Sequence, residues 1–200
     1  MKPSNSKQYY LSEKFTDIDF SAKTLSHQEY EDCSFIECNF SKSILDQCKF
    51  TSCNFKDCNL SLVIIKQSYF YDLCFEDSKL TGINWTEANW SNLKLPCLLK
   101  FSKCLLNYSN FFGLYLREAE IIECIAHEVD FREADLSQAN LSNTDFENSF
   151  FNNTNLSEAD FTDAINYHIN IYFNNIKKAR FSLPEATNLL YSLDIIIINS

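Results

Sequence analysis

The stretch "ADLSQANLSNTDF" (Ala134–Phe146) states one five-residue phrase almost three times: a small residue, Asn or Asp, a large apolar residue, Ser, and a variable residue. Marking the large residue as a centre and stepping backwards and forwards by five extends the phrase over most of the 200-residue chain. From Phe15 the centres are Phe20, Leu25, Tyr30, Phe35, Phe40, Leu45, Phe50, Phe55, Leu60, Ile65, Phe70, Phe75, Leu80, Trp85, Trp90 and Leu95. With 46% hydrophobic residues overall, chance would give that run on the order of one time in a million. One inserted residue moves the next centre to Phe101, and the fives resume through Leu106, Phe111, Leu116, Ile121, Ala126, Phe131, Leu136, Leu141, Phe146, Phe151, Leu156 and Phe161. A fainter tail follows at Asn166, Ile171, Ile176 and Phe181.

A helix repeats every 3.6 residues and a strand every 2, so a period of five would smear the apolar residues around either. A square coil accommodates it. Each five-residue phrase is one side, four sides make a 20-residue turn, and every centre points into the bore. The residue two before the centre is mostly Cys, Ser or Ala, because a second large side chain per side would overfill so narrow a core. Turns stacked as parallel strands rise ~4.8 Å each. The expected fold is therefore an all-β, right-handed quadrilateral parallel β-helix of eight to nine coils spanning 15–181, on the order of 40 Å long.

The two ends depart from the fives. Residues 1–14 form an N-terminal segment or cap, and 182–200 a C-terminal element. In the latter, Ser182 and Glu185 have capping-box spacing, Pro184 suits a first turn, and Leu183, Ala186, Leu189, Leu190 and Leu193 make a helical stripe. This predicts a capping α-helix over the last coil. Ile195, Ile196, Ile197 and Ile198 follow as a β-branched run that would be costly to expose, so Leu189, Leu190, Leu193 and Ile195 to Ile198 form the expected seam of a homodimer. The one-residue slip between Leu95 and Phe101 predicts a bulge at Pro96-Cys97 rather than a loop.

Composition narrows the function. A net charge of −10 disfavours direct contact with nucleic acid or an anionic membrane and favours a basic partner. Met1 to Tyr10 is polar, no apolar run approaches the length of a membrane span, and nine cysteines form an odd number, which together point to a reducing cytoplasm and free thiols. His27, His127 and His168 lie far apart without metal or catalytic spacing, and two glycines cannot build a phosphate loop. No catalytic residue, metal or cofactor is expected. Cys33, Cys38, Cys48, Cys53, Cys58, Cys104 and Cys124 all fall two before a centre, where cysteine serves as a small packing residue.

The acidic residues are ordered as well. Residues one turn apart stack on one side of the coil, and with a single-residue slip one column reads Asp17, Glu37, Asp57, Asp77, Leu98, Glu118, Gln138 and Glu158. Like charges stacked at strand spacing repel, a cost that a neutral ladder would avoid. Asp17, Glu37, Asp57, Asp77, Glu118 and Glu158 are the candidate partner-binding residues.

The A(D/N)LXX phrase resembles that of the pentapeptide-repeat proteins, over about Phe15 to Phe181. "INWTEANW" (Ile83–Trp90), "FFGLYL" (Phe111–Leu116), "INYHINI" (Ile165–Ile171) and "KKARFSLPEATNLLYSLDI" (Lys177–Ile195) further resemble the albicidin- and quinolone-resistance members of that family. The resemblance implies a dimeric, rod-shaped DNA mimic that binds DNA gyrase, a type II topoisomerase, and alters its response to topoisomerase poisons. Quinolone-resistance members carry two projecting loops. The one-residue slip offers no counterpart, which favours a poison such as albicidin. The alternative reading is a structural scaffold that binds an unrelated protein through one wall.

Overall fold

A computed structural model describes residues 8–90, 98–196 and 198. The chain is a right-handed, four-walled parallel β-solenoid of about eight turns, in which every paired segment runs parallel to the one a turn away. Wall I passes through Tyr10, Tyr30, Phe50 and Phe70; wall II through Phe15, Phe35, Phe55, Phe75, Phe101 and Ile121; wall IV begins at Leu25 and Leu45. Wall III, between II and IV, is held by isolated bridges such as Asp19 to Asn39 and Asn39 to Asn59. The coil starts earlier than the fives suggest, because Gln8–Leu11 pairs with Gln28–Glu31 and Tyr10 is already a centre.

The centres fill the bore, and aromatic rings stack along each wall. Phe15, Phe35, Phe55, Phe75 and Phe101 follow one another at centroid distances of 4.9, 4.7, 4.9 and 5.2 Å, and Trp85, Phe111, Phe131 and Phe151 at 5.7, 5.3 and 5.3 Å. Rings on adjacent walls meet edge to face, as Phe35 and Phe40 do at 5.4 Å, so each ring packs in both of its favourable geometries.

The other slots have specific backbone duties. The residue two after the centre turns the corner in left-handed conformation, with φ between 48° and 62° at the non-glycine corners. That region punishes side chains branched at Cβ, and no Val, Ile or Thr occupies such a corner among the described residues. The Asn or Asp before the centre accepts the N–H two residues on, as Asn39 Oδ1 does from Ser41 and Asp135 Oδ1 from Ser137 (3.1 and 3.0 Å), forming an Asx-turn. The small slot does more than pack. Ser68, Thr144 and Thr154 donate to the carbonyls of Leu45, Ile121 and Phe131, and the Cys58 thiol to that of Phe35.

The break near residue 96 is larger than a slip of one. Phe75 pairs with Phe101, Lys79 with Leu105 and Asn84 with Asn110, each 26 residues on instead of 20. Cys104 and Ser109 likewise reach back 29 residues, to Phe75 and Leu80, where other turns reach back 23. Trp90 still lies on wall I, through the Asn89 N–H to Ser68 bond. Trp90 and Phe101, on successive walls, are therefore eleven residues apart, six more than the five of a regular side. The expected bulge at Pro96-Cys97 and the centre at Leu95 lie outside the described residues.

The C-terminal end also differs in detail. Tyr167 and Ile169 are buried in place of Asn166 and Ile171. The terminal helix, Glu185–Leu193, is wound as a 3-10 helix. Ser182 and Glu185 do not form a box on it. Their side chains accept the backbone N–H groups of Asp163 (3.0 Å) and Asn166 (2.8 Å), standing in for the missing next turn. Leu189 packs on the core, whereas Leu190, Leu193, Ile195, Ile196 and Ile198 are exposed; Ile197 is outside the described residues.

Because Phe131 is stacked on both sides and fully buried, Phe131→Ala is expected to cost about 3–5 kcal/mol in urea unfolding. The half-exposed Phe112→Ala should cost less than about 1 kcal/mol.

An acidic wall as the candidate interaction surface

The 26-residue step redistributes the candidate acids. Above Asp77 stands Lys103, not Leu98, because Asp77 N–H donates to Ser102 O and Lys103 N–H in turn to Ile122 O. The corner that follows wall II therefore reads Asp17, Glu37, Asp57, Asp77, Lys103, Glu123, Asn143 and Asp163. Glu118 and Glu158 belong to the corner that precedes wall II, with Asp32 and Asp72. The expected single column is thus two half-columns on opposite edges of one wall. All six predicted residues remain exposed, and all border wall II. The edges are five residues apart along the chain, so at most about 17 Å.

Between its edges wall II is nearly neutral. Lys56 meets Glu76 at 2.9 Å, Lys100 meets Glu120 at 3.0 Å, and Arg180 meets Asp160 at 2.6 Å, each pair one turn apart. Towards the C-terminus the edges are partly compensated too: Glu123 by Lys103 at 4.0 Å, Glu118 by Arg117 at 3.2 Å, and Glu158 by Lys178 at 3.6 Å. Glu158 also accepts from Gln138 Nε2, and this hydrogen bond, with Lys178 beside it, holds its carboxyl below the usual range. Asp17, Glu37, Asp57 and Asp77 make no ion pair with any described residue. The first four turns of that edge thus carry four carboxylates in succession without an ion pair to a described residue, and Asp32 and Asp72 on the opposite edge make none either.

Cys33, Cys38, Cys48, Cys53, Cys58, Cys104 and Cys124 are buried and unbridged, and Cys74 alone among the described cysteines is partly exposed. It faces outward on wall II beside Phe75, in a shallow groove with Asn54, Lys56 and Glu76. Cys97 is outside the described residues. Stacking also creates a juxtaposition that no local spacing announces: His127 Nε2 lies 2.9 Å from Asp145 and its Nδ1 3.9 Å from Glu147. No helix among the described residues is long and apolar enough to cross a membrane.

Two family models match the sequence, one described as a pentapeptide repeat region over residues 28–111 and one as pentapeptide repeats over 100–138 and 134–165, together covering 28–165. No curated protein matches it. Among solved structures, a trypsin-treated form of QnrB1, a plasmid-mediated fluoroquinolone resistance protein, superposes with a TM-score of 0.61 at 21% identity, over 100% of this chain and 95% of that one. HetL, a pentapeptide repeat protein involved in heterocyst differentiation regulation from the cyanobacterium Nostoc, is matched at a TM-score of 0.47 and 18% identity, over 86% of this chain and 84% of that one. At 21% identity the likeness to the QnrB1 form is one of fold.

Burial pushes the thiols of Cys53 and Cys58 up to about 12 and that of Cys48 to about 11, so they stay protonated and inert at neutral pH. In a Cys97→Ser background one thiol, Cys74, should react with a disulfide reagent at pH 8, and all eight remaining thiols after denaturation.

Proposed function

The chain belongs to the pentapeptide-repeat family, and from that premise we propose that it is a homodimeric DNA mimic that binds DNA gyrase and modulates the enzyme's response to topoisomerase poisons. It does so without catalysis of its own. The observation that carries this reading is the arrangement of charge on wall II: two acidic edges along a rod, with the wall between them neutralised by its own ion pairs. A groove that grips duplex DNA is lined with Lys and Arg placed to meet two lines of phosphates. Two lines of carboxylates on a rod would offer that groove matching charge, and complementary fields raise encounter rates and enforce orientation. Asp17, Glu37, Asp57 and Asp77 contribute most, since they bring no cation of their own; Glu118 and Glu158 extend the opposite edge.

The six additional residues between Trp90 and Phe101 bear on the choice of poison. They lengthen the step between two successive walls from five residues to eleven. Quinolone-type protection thereby stands beside albicidin-type protection in this proposal. Leu189 adds its packing on the core, while Leu190, Leu193, Ile195, Ile196 and Ile198 leave apolar surface open at the C-terminal end. Pairing two rods there, with Ile197, would double the length of the acidic track. The net charge of −10 opposes direct binding of nucleic acid, and the expected location is the cytoplasm.

Gyrase supercoiling titrated with the protein, with and without albicidin or a quinolone, tests the reading, and an absence of effect in both formats favours the alternative of a scaffold with an unrelated partner. The triple variant Glu37→Lys, Asp57→Lys, Asp77→Lys should keep its circular dichroism spectrum yet lose at least about tenfold in gyrase affinity. Reversal of Glu118 and Glu158, which already carry partners, should cost less. Leu190→Asp with Ile196→Asp is expected to halve the mass seen in sedimentation equilibrium.

A further inference from the structure

On wall III, one turn separates Ala126 from Phe146, and the stacking places His127 against the two carboxylates that flank Phe146. The backbone fixes both levels: Ala126 N–H donates to Asp145 O at 2.8 Å and Glu128 N–H to Glu147 O at 2.9 Å. His127 is tethered in addition through its own N–H, which donates to Asn107 Oδ1 at 3.1 Å. Single donor atoms of His127, Asp145 and Glu147 lie within 4.8 Å of one another.

The imidazole does not behave as a simple hydrogen-bonding partner. Its Nε2 is shut off from solvent and makes no in-line hydrogen bond, although Asp145 Oδ2 is 2.9 Å away. Buried side-chain nitrogens are rarely left so. Two donors lying side by side, rather than aimed at each other, can turn onto one cation, whose tetrahedral ligands at about 2.0–2.2 Å stand about 3.3–3.6 Å apart. The other oxygen of Asp145 is already committed: Oδ1 accepts from Asn166 Nδ2 at 2.8 Å and from Glu147 N–H at 3.1 Å. That is the kind of outer support that orients a ligating carboxylate.

We infer that His127, Asp145 and Glu147 form a binding site for a divalent transition-metal ion, best suited to zinc. One imidazole and two carboxylates make a mixed nitrogen–oxygen donor set of the type zinc accepts with water completing the shell, whereas magnesium and calcium select all-oxygen sites. Glu147 is exposed and the other two are half-buried, so the ion can enter from solvent and Glu147 can swing in as the third ligand. Bound there, the ion would tie two successive turns of the C-terminal half together and offset part of the negative charge.

Isothermal titration of the full-length, metal-stripped protein with zinc sulfate should show one site per chain. Cobalt substitution should give visible d–d bands without a thiolate charge-transfer band, which separates this site from the cysteines. Affinity should fall at least tenfold in His127→Gln and in Glu147→Gln, the latter at an exposed position that leaves folding untouched. Absence of zinc binding at 100 µM metal, a thiolate band, or unchanged affinity in both variants would overturn the site and leave the cluster as a polar contact between two turns.

Discussion

Everything in this molecule follows from one contact, the stacking of each centre on the centre one turn away. A chain with two glycines and three prolines has few of the usual devices for turning, and it turns instead at left-handed corners spaced five residues apart. Those corners cost conformational energy at every non-glycine position. The cost is borne because each corner delivers the next large side chain into a bore where it meets rings above, below and beside it. The hydroxyls and thiols of the small slot then tie each turn to the carbonyls of the previous one, so core packing and backbone satisfaction come from the same repeat.

The repeat explains why so much of the fold could be read from the residues. Centres, corners and small slots are all functions of position modulo five, and "ADLSQANLSNTDF" contains them all. The same arithmetic explains the chief misreading. An insertion of one residue and an insertion of six leave the phase of the fives identical, because Leu95 can be counted as one more side. Phase fixes which slot a residue fills, but not which wall it belongs to. A hidden side rotates everything after it by one wall, which carried Glu118 and Glu158 to the opposite edge from Asp77. The better signal lay in the rings: Phe75 with Phe101 and Trp85 with Phe111 stack at 26 residues.

At the C-terminal end the reading failed for a different reason. Ser182 and Glu185 have the spacing of a helix cap, and local pattern alone assigns them to the helix that follows. The open end of a solenoid presents N–H groups that need acceptors more than a short helix does, so the side chains of both residues turn back to Asp163 and Asn166. Sites assembled across turns are equally invisible locally. His127 and Glu147 are 20 residues apart and become neighbours because a turn has that length.

The functional account rests on the carboxylates at the edges of wall II taking the place of phosphate. The most direct test is competition: a labelled duplex bound to gyrase, titrated with this protein at several salt concentrations. The account predicts that the duplex is displaced completely and that the protein's apparent affinity falls as salt rises. A stable ternary complex, with the protein bound and the duplex retained, would contradict it.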